Sequence, residues 1–224
     1  MSELSGYTRR ESNIESGRYA RLEGPDGSGK TTQLRLAEEF NEKKGIGAVF
    51  VREPGGTKLG LHIRGLLLQE ASINMGPEVE FALFTADRRQ LWDEVISPAL
   101  KEDRPVISDR GVESTICYQS AGGGVDKDTI LDVSNRLLDP RYMRPDVLAV
   151  LSMSEEVRRR RLSYRFTEEV ADKIESRDDS YTHRVYKAYQ SLHELDYAKV
   201  INADRDPEEI FEDLKPVLFG KYAR

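Results

Sequence analysis

Leu22-Glu23-Gly24-Pro25-Asp26-Gly27-Ser28-Gly29-Lys30-Thr31-Thr32 decides how the rest of the chain is read. Gly24, Gly29, Lys30 and Thr31 occupy the fixed positions of G-x-x-x-x-G-K-[ST]. Glycines let a backbone close tightly, so that successive N–H groups converge on a phosphate and the next helix directs its positive end at the anion. Gly24, Asp26, Gly27, Ser28, Gly29, Lys30, Thr31 and Thr32 are therefore the expected cradle of a nucleoside triphosphate. In it, Lys30 reaches the β- and γ-phosphates and the Thr31 hydroxyl stands at Mg²⁺. The flanks agree. Tyr19 to Glu23 reads as a strand, and Leu34, Leu36, Ala37 and Phe40 give the following segment a helical pattern.

Outward from the loop, strands and helices alternate. The helix from about Gly29 to Lys44 is expected to stop at Gly45, a good C-terminal residue. Ala48 to Arg52 reads as a second strand, with Glu53-Pro54-Gly55-Gly56-Thr57 as the loop leaving it. Apolar-periodic segments follow over Leu59 to Leu68 and Pro77 to Leu100, the second redirected near Pro98. Pro105-Val106-Ile107-Ser108-Asp109 is a short apolar run closed by an aspartate, as in a buried parallel strand with a functional carboxyl end. Gly122-Gly123-Gly124 is a loop, Asp126 to Leu138 a helix, Asp146 to Leu151 a strand, and Lys199 begins a short last one. Asp206 to Leu218 is the closing helix, with Pro207 acceptable in its first turn. This order predicts a three-layer α/β fold of the P-loop NTPase kind, a parallel five-stranded sheet flanked by helices. Arg21 is out of place in a strand buried on both faces, unless an ion pair accommodates it.

Composition narrows the function. The 224 residues suit one α/β domain. One third of them are charged and the formal net charge is −6, which argues against a general nucleic-acid or membrane-surface binder. Phosphate must then be held by local cationic pockets. The single Cys117 excludes an internal disulfide and suits a reducing, cytoplasmic setting. No run reaches the ~18 apolar residues of a membrane span. Residues 1–17 are polar and charged, without the apolar stretch of a secretory signal, and read as a flexible N-terminal extension to a domain spanning 18–224.

A P-loop alone leaves the phosphoryl acceptor open. Five further stretches occur in order: Arg52-Glu53-Pro54-Gly55-Gly56-Thr57, Phe84-Thr85-Ala86-Asp87-Arg88, Ser108-Asp109-Arg110, Ser114-Thr115-Ile116-Cys117-Tyr118-Gln119 and Arg144-Pro145-Asp146. Together they closely resemble the thymidylate kinase family, from about Tyr19 to the C-terminus. The most specific parts are R-E-P-G-G-T, D-R and S-T-x-x-Y-Q. The resemblance implies phosphorylation of dTMP to dTDP by ATP with Mg²⁺, a mobile lid at about 158–177, and a homodimer.

Elementary chemistry reads the same residues independently. Arg52 ends a strand, where open α/β sheets bind ligands, and its guanidinium can fork onto a phosphate; the matching arginine of the family holds the dTMP phosphate. Asp109 at a strand end can hold Mg²⁺ through water, and Arg110 can bridge donor and acceptor phosphates. An ion pair between these two neighbours is the structural alternative. Phe84 and Arg88 are four apart, hence on one helix face. An aromatic ring with a guanidinium beside it suits a flat pyrimidine, although Phe84 read alone is a core residue. The resemblance puts thymine stacking on Phe84 and a base contact on Arg88. It also puts a base-edge contact on Thr115, exclusion of a ribose 2′-hydroxyl on Tyr118, and the surroundings of the monophosphate on Gln119. Asp26, otherwise a turn aspartate, matches the family's carboxylate near the sugar 3′-hydroxyl.

The variable loop positions Pro25 to Ser28 carry no cation, so transition-state charge must come from elsewhere. Arg158-Arg159-Arg160-Arg161 and Arg165 supply candidates. Consecutive helical residues point about 100° apart, so only the stripe Arg158, Arg161, Arg165 shares a face. Arg165 first and Arg161 second match lid arginines of the bacterial form; the rest of the run reads as a solvated face. Three positions depart from the family. Gly111 stands where a tyrosine or histidine is commoner, Phe166 where a lid glycine is common, and Lys173 where an arginine is usual. Lys30, Arg110, Arg165 and Arg161 are the catalytic candidates, and Thr31 and Asp109 the metal candidates. A kinase acting on dUMP or a modified deoxypyrimidine monophosphate is the nearest alternative. A nucleotide-binding switch is the more distant one; against it, the chain lacks an N-K-x-D guanine-reading motif and carries acceptor-side arginines that a switch would not need.

Overall fold

β1 (Tyr19–Glu23), β2 (Val49–Arg52), β3 (Val106–Asp109), β4 (Val147–Ser152) and β5 (Ala198–Asn202) form one all-parallel sheet in the order β2-β3-β1-β4-β5. The structure is a computed structural model that describes residues 17–69, 73–168, 173–174 and 176–223; the side chains of 165–168 fall outside that description. So do residues 1–16 of the expected extension. Gly17 is buried, its N–H donating to the Leu100 carbonyl at 3.1 Å.

Ten helices connect and cover the strands among the described residues: α1 (Lys30–Lys44), α2 (Lys58–Arg64), α3 (Pro77–Leu91), α4 (Ser97–Lys101), α5 (Val112–Thr115), α6 (Lys127–Leu137), α7 (Pro140–Met143), α8 (Glu155–Glu168), α9 (Asp179–Ser191) and α10 (Pro207–Phe219). π-helical turns at Gly65–Gln69, Trp92–Ile96 and Ile116–Gly122 prolong α2, α3 and α5. Gly45 ends α1 in the left-handed conformation expected of it, at φ 62°. Pro98 does not itself redirect the long segment. The chain widens earlier, over Trp92–Ile96, and Pro98 opens α4, where its missing N–H costs little.

Side-chain alternation along the strands builds two cores. Ala20, Leu22, Ile107, Ala149 and Leu151 face α1 and α10, packing with Phe40, Leu214 and Phe219. The opposite face carries Tyr19, Val106, Leu148 and Val150 with Trp92, Tyr142 and Tyr189. Because successive strand residues alternate in direction, Arg21 and Glu23 emerge on the same face as Tyr19. That face therefore holds a polar seam toward the carboxyl end of β1. Asp146 of the Arg-Pro-Asp stretch lies at the other end of the sheet, where it accepts from the Tyr19 N–H at 2.7 Å and fixes the start of β1.

α10 closes the second core, and the Phe219 ring sits fully buried 5.1 Å from that of Phe40. Phe219→Ala should lower unfolding free energy by about 3–5 kcal/mol. Urea unfolding measures this, and a cost below about 1 kcal/mol would mean that α10 does not seal the sheet.

Candidate active site

The loop between β1 and α1 has the backbone its glycines predict. Gly24, Gly27 and Gly29 have φ of 156°, 84° and 88°. At Gly24 a side chain is also excluded sterically, since a Cβ would stand 2.7 Å from Ser28 Oγ and 3.0 Å from the Leu151 carbonyl oxygen. Lys30 folds back into the loop, donating to the carbonyls of Gly24 at 2.7 Å and Pro25 at 3.2 Å. Burial, and then the nearby Arg110 cation, lower its ammonium pKa to about 8.

Next to the loop, at the carboxyl ends of β1, β2 and β3, opens a cavity of about 350 Å³. Asp26 to Thr32, Arg52, Phe84, Arg88, Asp109, Arg110, Thr115, Tyr118, Gln119 and Arg161 all line it, as do Glu53, Pro54, Arg64, Leu68, Ser114 and Ile174. Of the expected site residues, Gly24 stands behind the loop with its carbonyl on Lys30, and the Arg165 side chain lies outside the described residues.

Arg110 is the centre of the cavity wall. It sits at φ 76°, in the left-handed region. Its Nη2 donates to Asp26 Oδ1 at 2.6 Å, and its Nη1 to the Tyr189 hydroxyl at 2.8 Å and Ser114 Oγ at 3.1 Å. The Tyr118 hydroxyl donates to the other Asp26 oxygen at 2.5 Å, and the guanidinium lies 5.3 Å from the Tyr118 ring centre. Arg110 is thus paired with Asp26 across the cavity and not with its neighbour Asp109. Asp109 Oδ2 lies 3.8 Å from Arg52 Nε, while its Oδ1 is buried and accepts no hydrogen bond among the described residues.

Arg88 is buried, its guanidinium 5.5 Å from the Phe84 ring centre. It donates to Glu53 Oε2 at 3.0 Å, Thr115 Oγ1 at 2.7 Å and the Gly111 carbonyl at 2.7 Å. A guanidinium has five N–H bonds, so these three leave a second hydrogen on each Nη for a ligand. Gln119 is buried as well, its amide donating to Glu80 at 3.2 Å; Glu80 also pairs with Arg177, just before α9.

Phosphate loop, acceptor-side arginines and aromatic wall therefore share one cavity, and relatives of known activity can be set against it. A family model described as Thymidylate kinase matches residues 22–214. A thymidylate kinase of Halothermothrix orenii is 36% identical over 198 residues, covering 88% of this chain and 94% of the relative. Another, from an Exiguobacterium species, is 37% identical, covering 85% and 88%. The crystal structure of thymidylate kinase from Ehrlichia chaffeensis superposes with a TM-score of 0.71 at 26% identity, covering 91% of this chain and 99% of that one. The chain belongs to the thymidylate kinase family. Enzymes of this family phosphorylate dTMP to dTDP.

Buried residues that carried no signal of function in the sequence also hold the thymidylate kinase cavity together. Glu53 lies inside R-E-P-G-G-T yet had no role. It is buried and accepts from Arg88, from the Tyr142 hydroxyl at 2.5 Å and from Ser108 Oγ at 3.1 Å. Burial raises its carboxyl to about 7, against the opposing pull of Arg88. Glu23 accepts from the Gly111 N–H at 2.8 Å, from Ser114 Oγ at 2.9 Å and from the Tyr189 hydroxyl at 3.0 Å. Strand alternation could have flagged Glu23, which shares a face with Arg21. Tyr189 left no local signal, because α9 reaches the site from far along the chain. Arg158 corrects the solvated-face expectation: it is buried, its guanidinium 5.5 Å from the Tyr186 ring centre. Arg159 is exposed and pairs with Glu155 at 3.0 Å.

The lowered pKa of Lys30 gives a test. With its pKa lowered to about 8, an increasing fraction of this amine is neutral as pH rises past 8, and a triphosphate bound against it would restore its charge. Triphosphate binding at pH 8.5 should therefore take up a proton, and its affinity should weaken as pH rises further. Calorimetry in two buffers of different ionisation enthalpy reads the uptake. Lys30→Met should abolish it, and an uptake unchanged in that variant would assign the proton elsewhere.

Proposed function

We propose that the cavity carries out in-line transfer of the ATP γ-phosphoryl group to a 5′-phosphate oxygen of dTMP. The observation that carries this reading is the Asp26–Arg110–Tyr118 cluster, which ties the triphosphate loop to the acceptor wall. On this reading the N–H groups of the loop and Lys30 hold the β- and γ-phosphates, Lys30 exchanging its two carbonyl partners for phosphate oxygens. Arg52, exposed at the end of β2, takes the monophosphate. Arg110 stands between donor and acceptor phosphates and offsets the charge that develops between them. The acceptor oxygen is already ionised, so no general base is required and the work is positioning and charge neutralisation.

Recognition of the acceptor follows from the same contacts. Phe84 stacks on the pyrimidine, and Arg88 and Thr115 meet its edge with their remaining hydrogen-bonding capacity. Asp26 accepts the sugar 3′-hydroxyl. Tyr118, held against Asp26, fills the position a ribose 2′-hydroxyl would need, which favours a deoxyribose. Gln119 borders the monophosphate.

Mg²⁺ fits the donor set. Asp109 Oδ1 is a buried carboxylate oxygen without a partner among the described residues, and the Thr31 hydroxyl opens α1 beside the loop. Oxygen ligands of this kind suit the ion. Thr31 and Asp109 would hold it, and it would supply charge neutralisation on the phosphate oxygens. Residues 158–177 would serve as the lid, bringing Arg161 and Arg165 to the transferring group. Arg161 already lines the cavity and donates to the Arg205 carbonyl at 3.4 Å. The exposed Leu59, Leu61 and Val79 on α2 and α3 are in keeping with a homodimer, and the reduced buried Cys117 with a cytoplasmic setting.

A steady-state panel of nucleoside monophosphates with ATP tests the reading, with dTMP expected as the best acceptor. Preference for a purine or for dCMP would overturn the base-pocket assignment; dUMP as the best acceptor would select the nearest alternative. In the same assay Arg165→Ala should lower kcat on the order of 10³-fold, as loss of a transition-state arginine does, with little change in KM for dTMP. Equal turnover in variant and parent would remove Arg165 from the mechanism.

A further inference from the structure

We propose that Arg21 is a positioning residue for the Asp109-Arg110-Gly111 turn, and that Arg21 and Gly111 form a matched pair in which the buried guanidinium occupies the space of the missing side chain at position 111. The inference rests on the phosphoryl-transfer reading above and adds a residue that touches neither substrate.

Arg21 lies in the middle of β1, opposite Ser108 of β3 in register, and is fully buried. Its head group cannot drift. Nη1 donates to Glu113 Oε2 at 2.6 Å, and Nη2 donates to the Tyr142 carbonyl at 2.5 Å and the Tyr19 hydroxyl at 3.1 Å. The rings of Tyr142 and Tyr19 lie 4.7 and 5.3 Å from its central carbon. Glu113 is buried in turn and also accepts from the Tyr197 hydroxyl at 3.2 Å. Moving the guanidinium would strand a buried carboxylate, which is costly.

Gly111 lies directly against this fixed group. A Cβ there would stand 2.5 Å from Arg21 Cζ, far inside van der Waals contact. The backbone of Gly111 is extended, at φ −169°, so the exclusion of a side chain is steric and not conformational. The peptide is held on its other sides too. Its N–H donates to Glu23 and its carbonyl accepts from Arg88, while Arg110 precedes it in the left-handed region. One glycine therefore joins the two arginines of the acceptor wall, and Arg21 is the floor it rests on. The volume of the missing side chain is supplied from β1.

The pairing predicts where a substitution will be felt. Gly111→Ala pushes the peptide off its floor and displaces the Arg88 and Arg110 anchors; it reaches the triphosphate loop through the Arg110–Asp26 pair, while Lys30 is held separately by the Gly24 and Pro25 carbonyls. The kcat/KM for dTMP should fall about 10²-fold, the size of a misplacement near 1 Å. The KM for ATP should stay within about threefold, since Lys30 keeps its own contacts within the loop. Replacing the floor should rescue the defect. In an Arg21→Val/Glu113→Gln background, with both charges removed, Gly111→Ala should cost under about threefold, a coupling that distant sites do not show. An equal loss in both backgrounds, or a Gly111→Ala variant with unchanged dTMP kinetics, overturns the proposal.

Thermal unfolding of the same four proteins gives a second reading independent of catalysis. The proposal requires Gly111→Ala to lower Tm in the parent and not in the Arg21→Val/Glu113→Gln background; similar shifts in both contradict it. If the parent itself forms no dTDP, the phosphoryl-transfer reading fails, and the unfolding cycle still decides whether positions 21 and 111 are coupled.

Discussion

Glu23, Glu53 and Glu113 are buried at the carboxyl end of the sheet, beneath the floor of the cavity, and what it takes to bury them shapes the site above. A carboxylate leaves water at a high cost unless charge and hydrogen bonds replace the lost solvation. Each of the three is satisfied by a different set of groups. Glu53 holds Arg88, Tyr142 and Ser108; Glu113 holds Arg21 and Tyr197; Glu23 holds Ser114, Tyr189 and the Gly111 peptide. Removing one partner of such a buried pair typically costs about 3–5 kcal/mol. Satisfying the carboxylates therefore also fixes the strand-end turns and the arginines that face the cavity.

This makes the two halves of the site unequal. On the proposed acceptor side Arg88 is bonded to Thr115, and Arg110 and Tyr118 are both bonded to Asp26. On the proposed donor side Lys30 rests on carbonyls that a phosphate would displace, and the contact of Arg161 with the Arg205 carbonyl is a long one. The asymmetry suits the chemistry. A pyrimidine and a sugar need shape and fixed donors, whereas a transferring phosphoryl group needs cations that arrive together with it. Although the chain carries a net charge of −6, Lys30, Arg52, Arg64, Arg88, Arg110 and Arg161 all line this one cavity, the local cationic pocket a polyanion would need.

Local backbone rules made much of this legible in the sequence. The glycine spacing of the loop, the short apolar strands and the proline and glycine at helix ends each dictate their own geometry, and all five strands fall where those rules put them, to within a residue or two. The resemblance extended the reading to the cavity wall, and those residues do converge there. Long-range partners were not legible. Asp26 meets Arg110 across 84 positions, and Tyr189 meets Glu23 across 166. Arg158 is buried because α9 sets Tyr186 against it, which a run of arginines cannot announce. Arg21 appeared as an anomaly in a buried strand, and its partners on α5, on α7 and at Gly111 became visible only once the sheet was assembled.

An acceptor half assembled by buried ion pairs must bind its ligand unaided. Calorimetric titration of dTMP into the nucleotide-free protein, repeated with a non-hydrolysable ATP analogue present, measures this directly. Fixed acceptor contacts predict saturable one-to-one binding of dTMP to the free protein, with an affinity within about tenfold of that in the presence of the analogue, a coupling under ~1.4 kcal/mol. Binding of dTMP only after the analogue has bound would contradict the account, because the acceptor wall would then be built by the donor nucleotide and not by the fold.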